Sequence, residues 1–124
     1  VFLVGDLGAG KTTLARQIIA DLCAVNDAPS PTYTLVQIYE TENRIPLWHV
    51  DLYRIEAPGE LEELGLDDAF NEAITLIEWP ERLGDASPAD RLEISIAMSG
   101  AGVDTVREAR ITGFGSWGSR LDDI

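Results

Sequence analysis

The stretch that most constrains this chain is Gly5-Asp6-Leu7-Gly8-Ala9-Gly10-Lys11-Thr12, which satisfies the pattern G-x-x-x-x-G-K-[ST] in full. Before it, Val1 to Val4 form a short apolar run that reads as a buried strand. After it, Leu14, Ile18, Ile19 and Leu22 recur at helical spacing. A strand, a glycine loop and a helix in that order are the context that separates a phosphate-binding loop from a plain turn. Glycines let the backbone fold tightly, so that successive N–H groups and the helix N-terminus face negative charge. Lys11 then supplies a full positive charge for the β- and γ-phosphates, and the Thr12 hydroxyl is placed to ligate magnesium.

The rest of the chain reads as one α/β domain over residues 1–124, without internal repeat, low-complexity segment or linker. Asp27 to Pro31 marks a loop, and residues 33 to 53 read as an antiparallel hairpin that turns at Arg44-Ile45-Pro46. Pro58 to Asn71 is helical and acidic, with Gly65 splitting it into two short helices. Ile74 to Ile77 is a further apolar strand that closes on Glu78, and Pro80 starts a short helix that Gly84 ends. Leu92 to Met98 and Val106 to Ile111 read as two more strands around a glycine turn, and the tail from Gly113 to Ile124 is weakly patterned and reads as loose.

Composition narrows the function. The formal charge of −13 repels a phosphate backbone, which argues against direct duplex DNA binding. Eight of the nine basic residues are arginine, and the single lysine, Lys11, sits in the glycine motif. No apolar run approaches the ~20 residues that span a bilayer, and no leader pattern precedes the motif, so the expectation is a soluble cytoplasmic protein without a membrane partner. Cys23 is the only cysteine, which excludes an intramolecular disulfide, and its apolar neighbours make it a buried structural thiol.

Four further groups are candidates for chemistry. Glu78 ends a strand where a carboxylate points toward the phosphate site, which favours a second magnesium contact over a solvated strand-end carboxylate; aspartate is the more usual residue at such a position. In Trp48-His49-Val50-Asp51-Leu52-Tyr53-Arg54, alternation puts His49, Asp51 and Tyr53 on one face. Asp51 is able to orient water against a γ-phosphate or merely to fix a loop, and His49 weighs as a structural group rather than a base. Arg54 pairs with phosphate or with Asp51, and Trp79 either stacks on a base or packs over the sheet. Ser30-Pro31-Thr32-Tyr33-Thr34 lies where a nucleotide-sensing loop follows the first helix. The acidic run Glu60, Glu62, Glu63, Asp67 and Asp68 reads as a solvated helix face, with a basic partner surface as the sharper alternative.

Taken together, Gly5 to Thr13, Ser30 to Leu35, His49 to Arg54 and Ile77-Glu78-Trp79-Pro80 resemble the bacterial TsaE (YjeE) family over nearly the whole chain. The resemblance implies a three-layer α/β/α P-loop NTPase-like domain with a mixed parallel/antiparallel sheet. It implies ATP held by Leu7, Gly8, Ala9, Gly10, Lys11, Thr12 and Thr13, and magnesium bound by Thr12 and Glu78. Catalytic or switch roles follow for Lys11, Asp51 and Thr32, and nucleotide contacts for Glu81 and Arg107. The implied activity is ATP hydrolysis, weak alone and stimulated by the TsaD and TsaB proteins, in the complex that makes threonylcarbamoyladenosine at position 37 of tRNA; tRNA is engaged indirectly. Family members carry a strand and helix before the loop strand, so the expectation is that this chain lacks them.

Two other readings compete. A small-molecule kinase needs an acceptor pocket and a basic lid, and the arginines here are scattered. A nucleotide-dependent binding module needs only the ordering of residues 30 to 34 by ATP. No N-K-x-D motif for reading guanine is present, which favours ATP over GTP.

Overall fold

The computed structural model describes residues 1–5, 10–23, 36–98 and 107–121, with Pro58, Met98 and Arg107 described by backbone alone. Six strands build one sheet: β1 (Phe2–Val4), β2 (Val36–Glu40), β3 (Pro46–Asp51), β4 (Ile74–Glu78), β5 (Arg91–Met98) and β6 (Arg107–Phe114). They lie in the order β2-β3-β4-β1-β5-β6. The four inner strands are parallel, and β2 and β6 close the two edges antiparallel. The sheet is therefore mixed, and the expected hairpin is the β2–β3 pair, with Val36 opposite Val50.

Inner parallel strands are buried on both faces, which is why β1 is wholly apolar and β4 is apolar apart from the buried Thr75 and its terminal Glu78. Successive side chains point to opposite faces. Leu3, Leu47 and Leu76 meet Ala15 and Ile19 of α1 (Lys11–Cys23) on one side. Phe2, Val50 and Ile77 form the other core with Leu52, Ile55, Leu66 and Leu83. That second face is covered by α2 (Pro58–Glu63), α3 (Leu66–Glu72) and a 3-10 segment, Pro80–Ala86. Helices on both faces make three layers. Gly65, at φ 70°, separates α2 from α3, a left-handed backbone that a side chain adopts only at a cost.

Two details differ from the sequence reading. In α1 the buried stripe is Lys11, Ala15 and Ile19, at four-residue spacing, while Leu22 is exposed and Cys23 half-buried. Burial still pushes the Cys23 thiol up, which keeps it unreactive. The weakly patterned tail is also structured through Leu121: β6 runs on to Phe114, and α4 (Trp117–Arg120) packs back on it. Gly113 allows that approach, since a Cβ there would lie 2.5 Å from the Trp117 carbonyl oxygen. The turn is held by the Ser116 N–H, which donates to Asp90 Oδ1 at 2.8 Å. Glycine, which weakens a strand in propensity terms, is here the residue that lets two backbones touch.

The central strand carries the stability. Leu3 is 0% exposed whereas Ile38, on the edge strand, is 59% exposed. Chemical denaturation is expected to find Leu3→Ala destabilised by about 2–5 kcal/mol and Ile38→Ala changed by no more than about 0.5 kcal/mol.

Candidate functional site

In an open parallel sheet, ligands bind beyond the carboxyl ends of the strands, where the connections diverge to opposite faces. Here β1 leads to α1 on one face, while β3 and β4 lead to α2 and the 3-10 segment on the other. The candidate residues gather at that end. Lys11 and Thr12 start α1, and Glu78 and Asp51 end adjacent strands in matched register. Gly10, at φ 109°, enters the helix through a backbone conformation that side chains avoid.

Glu78 is 2% exposed, and each carboxylate oxygen has its own partner. Thr12 Oγ1 donates to Oε1 at 2.7 Å across 66 residues of sequence. His49 Nε2 donates to Oε2 at 2.7 Å. Burial alone pushes the Glu78 carboxyl up, but the His49 and Thr12 hydrogen bonds and the charge of Lys11 outweigh it, so the group sits below its ordinary value. Asp51 lies beside it and shifts the other way. Burial raises its carboxyl and the negative Glu78 raises it further, against the hydrogen bond it accepts from the Tyr53 N–H at 3.0 Å.

Lys11 is 5% exposed. Its Nζ donates to the Gly5 carbonyl at 2.6 Å and lies 3.6 Å from the centroid of the Trp79 ring. Trp79 reaches that position through a left-handed backbone at φ 59°, ψ 51°, a conformation that costs an L-residue about 1–2 kcal/mol. Tyr53 also packs against it, with ring centroids 5.0 Å apart and the rings tilted by 48°. Trp79 therefore packs over the lysine end of the site, a contact that sequence left between base stacking and sheet packing.

Thr13 is exposed on the outer side of α1, and Glu81 is exposed just past Trp79 and Pro80. Arg107 starts β6 opposite Met98, which puts its backbone at the same end of the sheet, two strands from β1. Leu7, Gly8, Ala9 and Thr32 lie outside the described residues. The acidic residues of α2 and α3 are exposed, as a solvated face requires. A cavity of about 820 Å³ opens between α2, α3 and the 3-10 segment; Glu62, Asp67 and Asp68 of the acidic run line it, and none of the nucleotide or magnesium candidates does. His49, which alternation places on the face of Asp51, is buried and makes its contact with a carboxylate 29 residues away on a neighbouring strand, a partner that spacing alone could not name.

Two oxygen donors, Thr12 Oγ1 and Glu78 Oε1, suit a hard cation such as magnesium, which takes one or two protein ligands and completes its shell with phosphate and water. A pH series tests the electrostatics of this arrangement. The Glu78 carboxyl titrates lower in the folded chain than in the unfolded one, so its stabilisation is complete above the ordinary value of 4.5 and is lost as pH falls through the folded value. Denaturation midpoints are expected to favour wild type over Glu78→Gln at pH 7, with the difference shrinking steadily below about pH 4.5.

The geometry agrees with comparisons to known proteins. A family model described as "Threonylcarbamoyl adenosine biosynthesis protein TsaE" matches residues 1–107. The tRNA threonylcarbamoyladenosine biosynthesis protein TsaE of Rickettsia bellii is 41% identical over 99 residues, covering 79% of this chain and 68% of that protein. Its Bacillus subtilis counterpart is 38% identical over 115 residues, covering 92% and 69%. The crystal structure of Bacillus subtilis YdiB superposes with a TM-score of 0.73 at 31% identity, over 98% of this chain and 72% of that one. By matched length, by identity and by fold, the chain belongs to the TsaE family.

Proposed function

We propose that this chain binds ATP with magnesium and hydrolyses it as a component of tRNA threonylcarbamoyladenosine biosynthesis, the process its relatives are named for. The observation that carries the reading is the convergence of Lys11, Thr12 and Glu78 at the carboxyl end of the parallel strands, with Thr12 and Glu78 2.7 Å apart. A lysine charge at the start of a helix, a hydroxyl and a buried ionised carboxylate are the parts that phosphoryl transfer needs.

In this reading Gly10 and the preceding loop wrap the phosphates, with Leu7, Gly8, Ala9 and Thr13 as further contacts. Lys11 leaves Gly5 and Trp79 to meet the β- and γ-phosphates. Thr12 and Glu78 hold magnesium, which when bound neutralises phosphate charge. Asp51, one strand over from Glu78, orients the attacking water; burial and the neighbouring Glu78 raise its carboxyl, the direction that favours taking a proton. Thr32 is assigned to sensing the γ-phosphate, and Glu81 and Arg107 to the nucleotide's periphery. Turnover is slow alone and rises on docking to the TsaD and TsaB proteins, so that tRNA is met only through the complex. The setting is the cytoplasm; no helix among the described residues is long and apolar enough to cross a membrane.

The test is ATP hydrolysis by wild type, Lys11→Ala and Glu78→Ala, each with and without purified TsaD and TsaB. Weak turnover by wild type, stimulation by the two proteins and a loss on the order of 100-fold or more in both variants are expected. Turnover that survives both substitutions, or that ignores the partners, refutes the reading.

A further inference from the structure

A histidine in the middle of β3 is expensive where it stands. His49 is 0% exposed and shares its sheet face with Leu47 and, across the strand pair, Leu76. One ring nitrogen, Nε2, is engaged by Glu78; the other, Nδ1, is buried with no hydrogen-bond partner among the described residues. A ring that donates from Nε2 to an ionised carboxylate and carries no hydrogen on Nδ1 leaves only a lone pair unanswered. A hydrogen on Nδ1 would be a buried donor without an acceptor, the costlier arrangement. Leucine would fill much the same space among these neighbours with no polar atom to satisfy. Among the described residues, the contact with Glu78 is the polar interaction that offsets the cost of the histidine.

That contact divides the carboxylate. With Oε2 held from inside the sheet by His49, only Oε1 faces Thr12 and the phosphate side. A glutamate has three side-chain torsions and, unrestrained, would swing or present both oxygens. Two opposed hydrogen bonds leave it one orientation. We infer that His49 is a positioning residue for Glu78, which clamps Oε2 so that Oε1 alone is presented, together with the Thr12 hydroxyl, to a magnesium–nucleotide complex. The inference rests on the magnesium role proposed for Glu78 and adds the residue that makes it a single-oxygen ligand. It also accounts for glutamate in place of the shorter aspartate: the longer side chain reaches from β4 to both His49 on β3 and Thr12 on α1, and the histidine restores the rigidity that its length forfeits.

The experiment measures the affinity of a non-hydrolysable ATP analogue by titration calorimetry, with excess magnesium and with EDTA, for the full chain and its variants. The ratio of the two affinities is the magnesium-dependent gain. His49→Leu is expected to lose about 10-fold or more of that gain, the usual consequence of removing a hydrogen bond behind a metal ligand. Its affinity in EDTA should stay within about 2-fold of wild type, because the loop and Lys11 are untouched. His49→Gln, whose amide reaches as Nε2 does, should recover most of the gain. Glu78→Gln should abolish it, and adding His49→Leu to Glu78→Gln should change nothing further, the signature of two residues acting as a unit. Should the leucine variant not fold, His49→Asn, too short to reach Oε2, takes its place. A His49→Leu chain that keeps the full gain while its melting temperature falls makes His49 a packing residue and overturns the inference alone. A wild type without any magnesium-dependent gain overturns the magnesium role of Glu78 and the inference with it.

Discussion

The arrangement of this protein turns on one buried carboxylate. Glu78 occupies the end of β4, almost out of contact with solvent, with a hydroxyl from α1 on one oxygen and a ring nitrogen from β3 on the other. Burial of a carboxylate opposes its charge, and only the supply of donors on both sides and a nearby lysine reverses the balance. Three elements from distant parts of the chain must be in place for that reversal. The site and the fold therefore stabilise each other.

The sheet explains how they come to be in place. Because β1 sits between β4 and β5, its carboxyl end lies beside the end of β4, and α1 begins against the strand that carries Glu78. The backbone seals the junction: the Leu52 N–H donates to the Glu78 carbonyl at 3.1 Å, which fixes the exit of β3 against the exit of β4. The two strands then diverge over the second core. Trp79 turns out of β4 through a left-handed backbone and contacts both Lys11 and Tyr53. Strain of that kind persists only where the surroundings over-determine it, and here Lys11 and Tyr53 contact the Trp79 ring while the buried Pro80 follows it in the chain.

Much of this was legible in the chain. The glycine motif marks its own place in the fold, since Gly10 at φ 109° leads from the end of β1 into the start of α1 at Lys11, as a strand–loop–helix spacing requires. The apolar runs at β1 and β4, the Gly65 division of α2 from α3, and Glu78 at a strand end are also local signals, and the structure reproduces them. What escaped is non-local or counter to propensity. Gly113 reads as a strand end, yet β6 continues through it because α4 needs a position without a side chain. Leu22 fits the helical period, yet the buried stripe of α1 follows Lys11, Ala15 and Ile19, since the direction of the helix over the sheet, rather than hydrophobicity alone, sets which side is covered.

The sequence by itself determined the α/β class and the family, because both rest on residue type and short-range spacing. Only the tertiary structure decided which groups act together. Strand order and register, not proximity in the chain, bring Thr12 to Glu78 across 66 residues and His49 to Glu78 across 29, and place Trp79 over Lys11. Whether a histidine among leucines is a packing residue or the clamp on a carboxylate depends on what the next strand presents at the same height, and that is a property of the folded sheet alone.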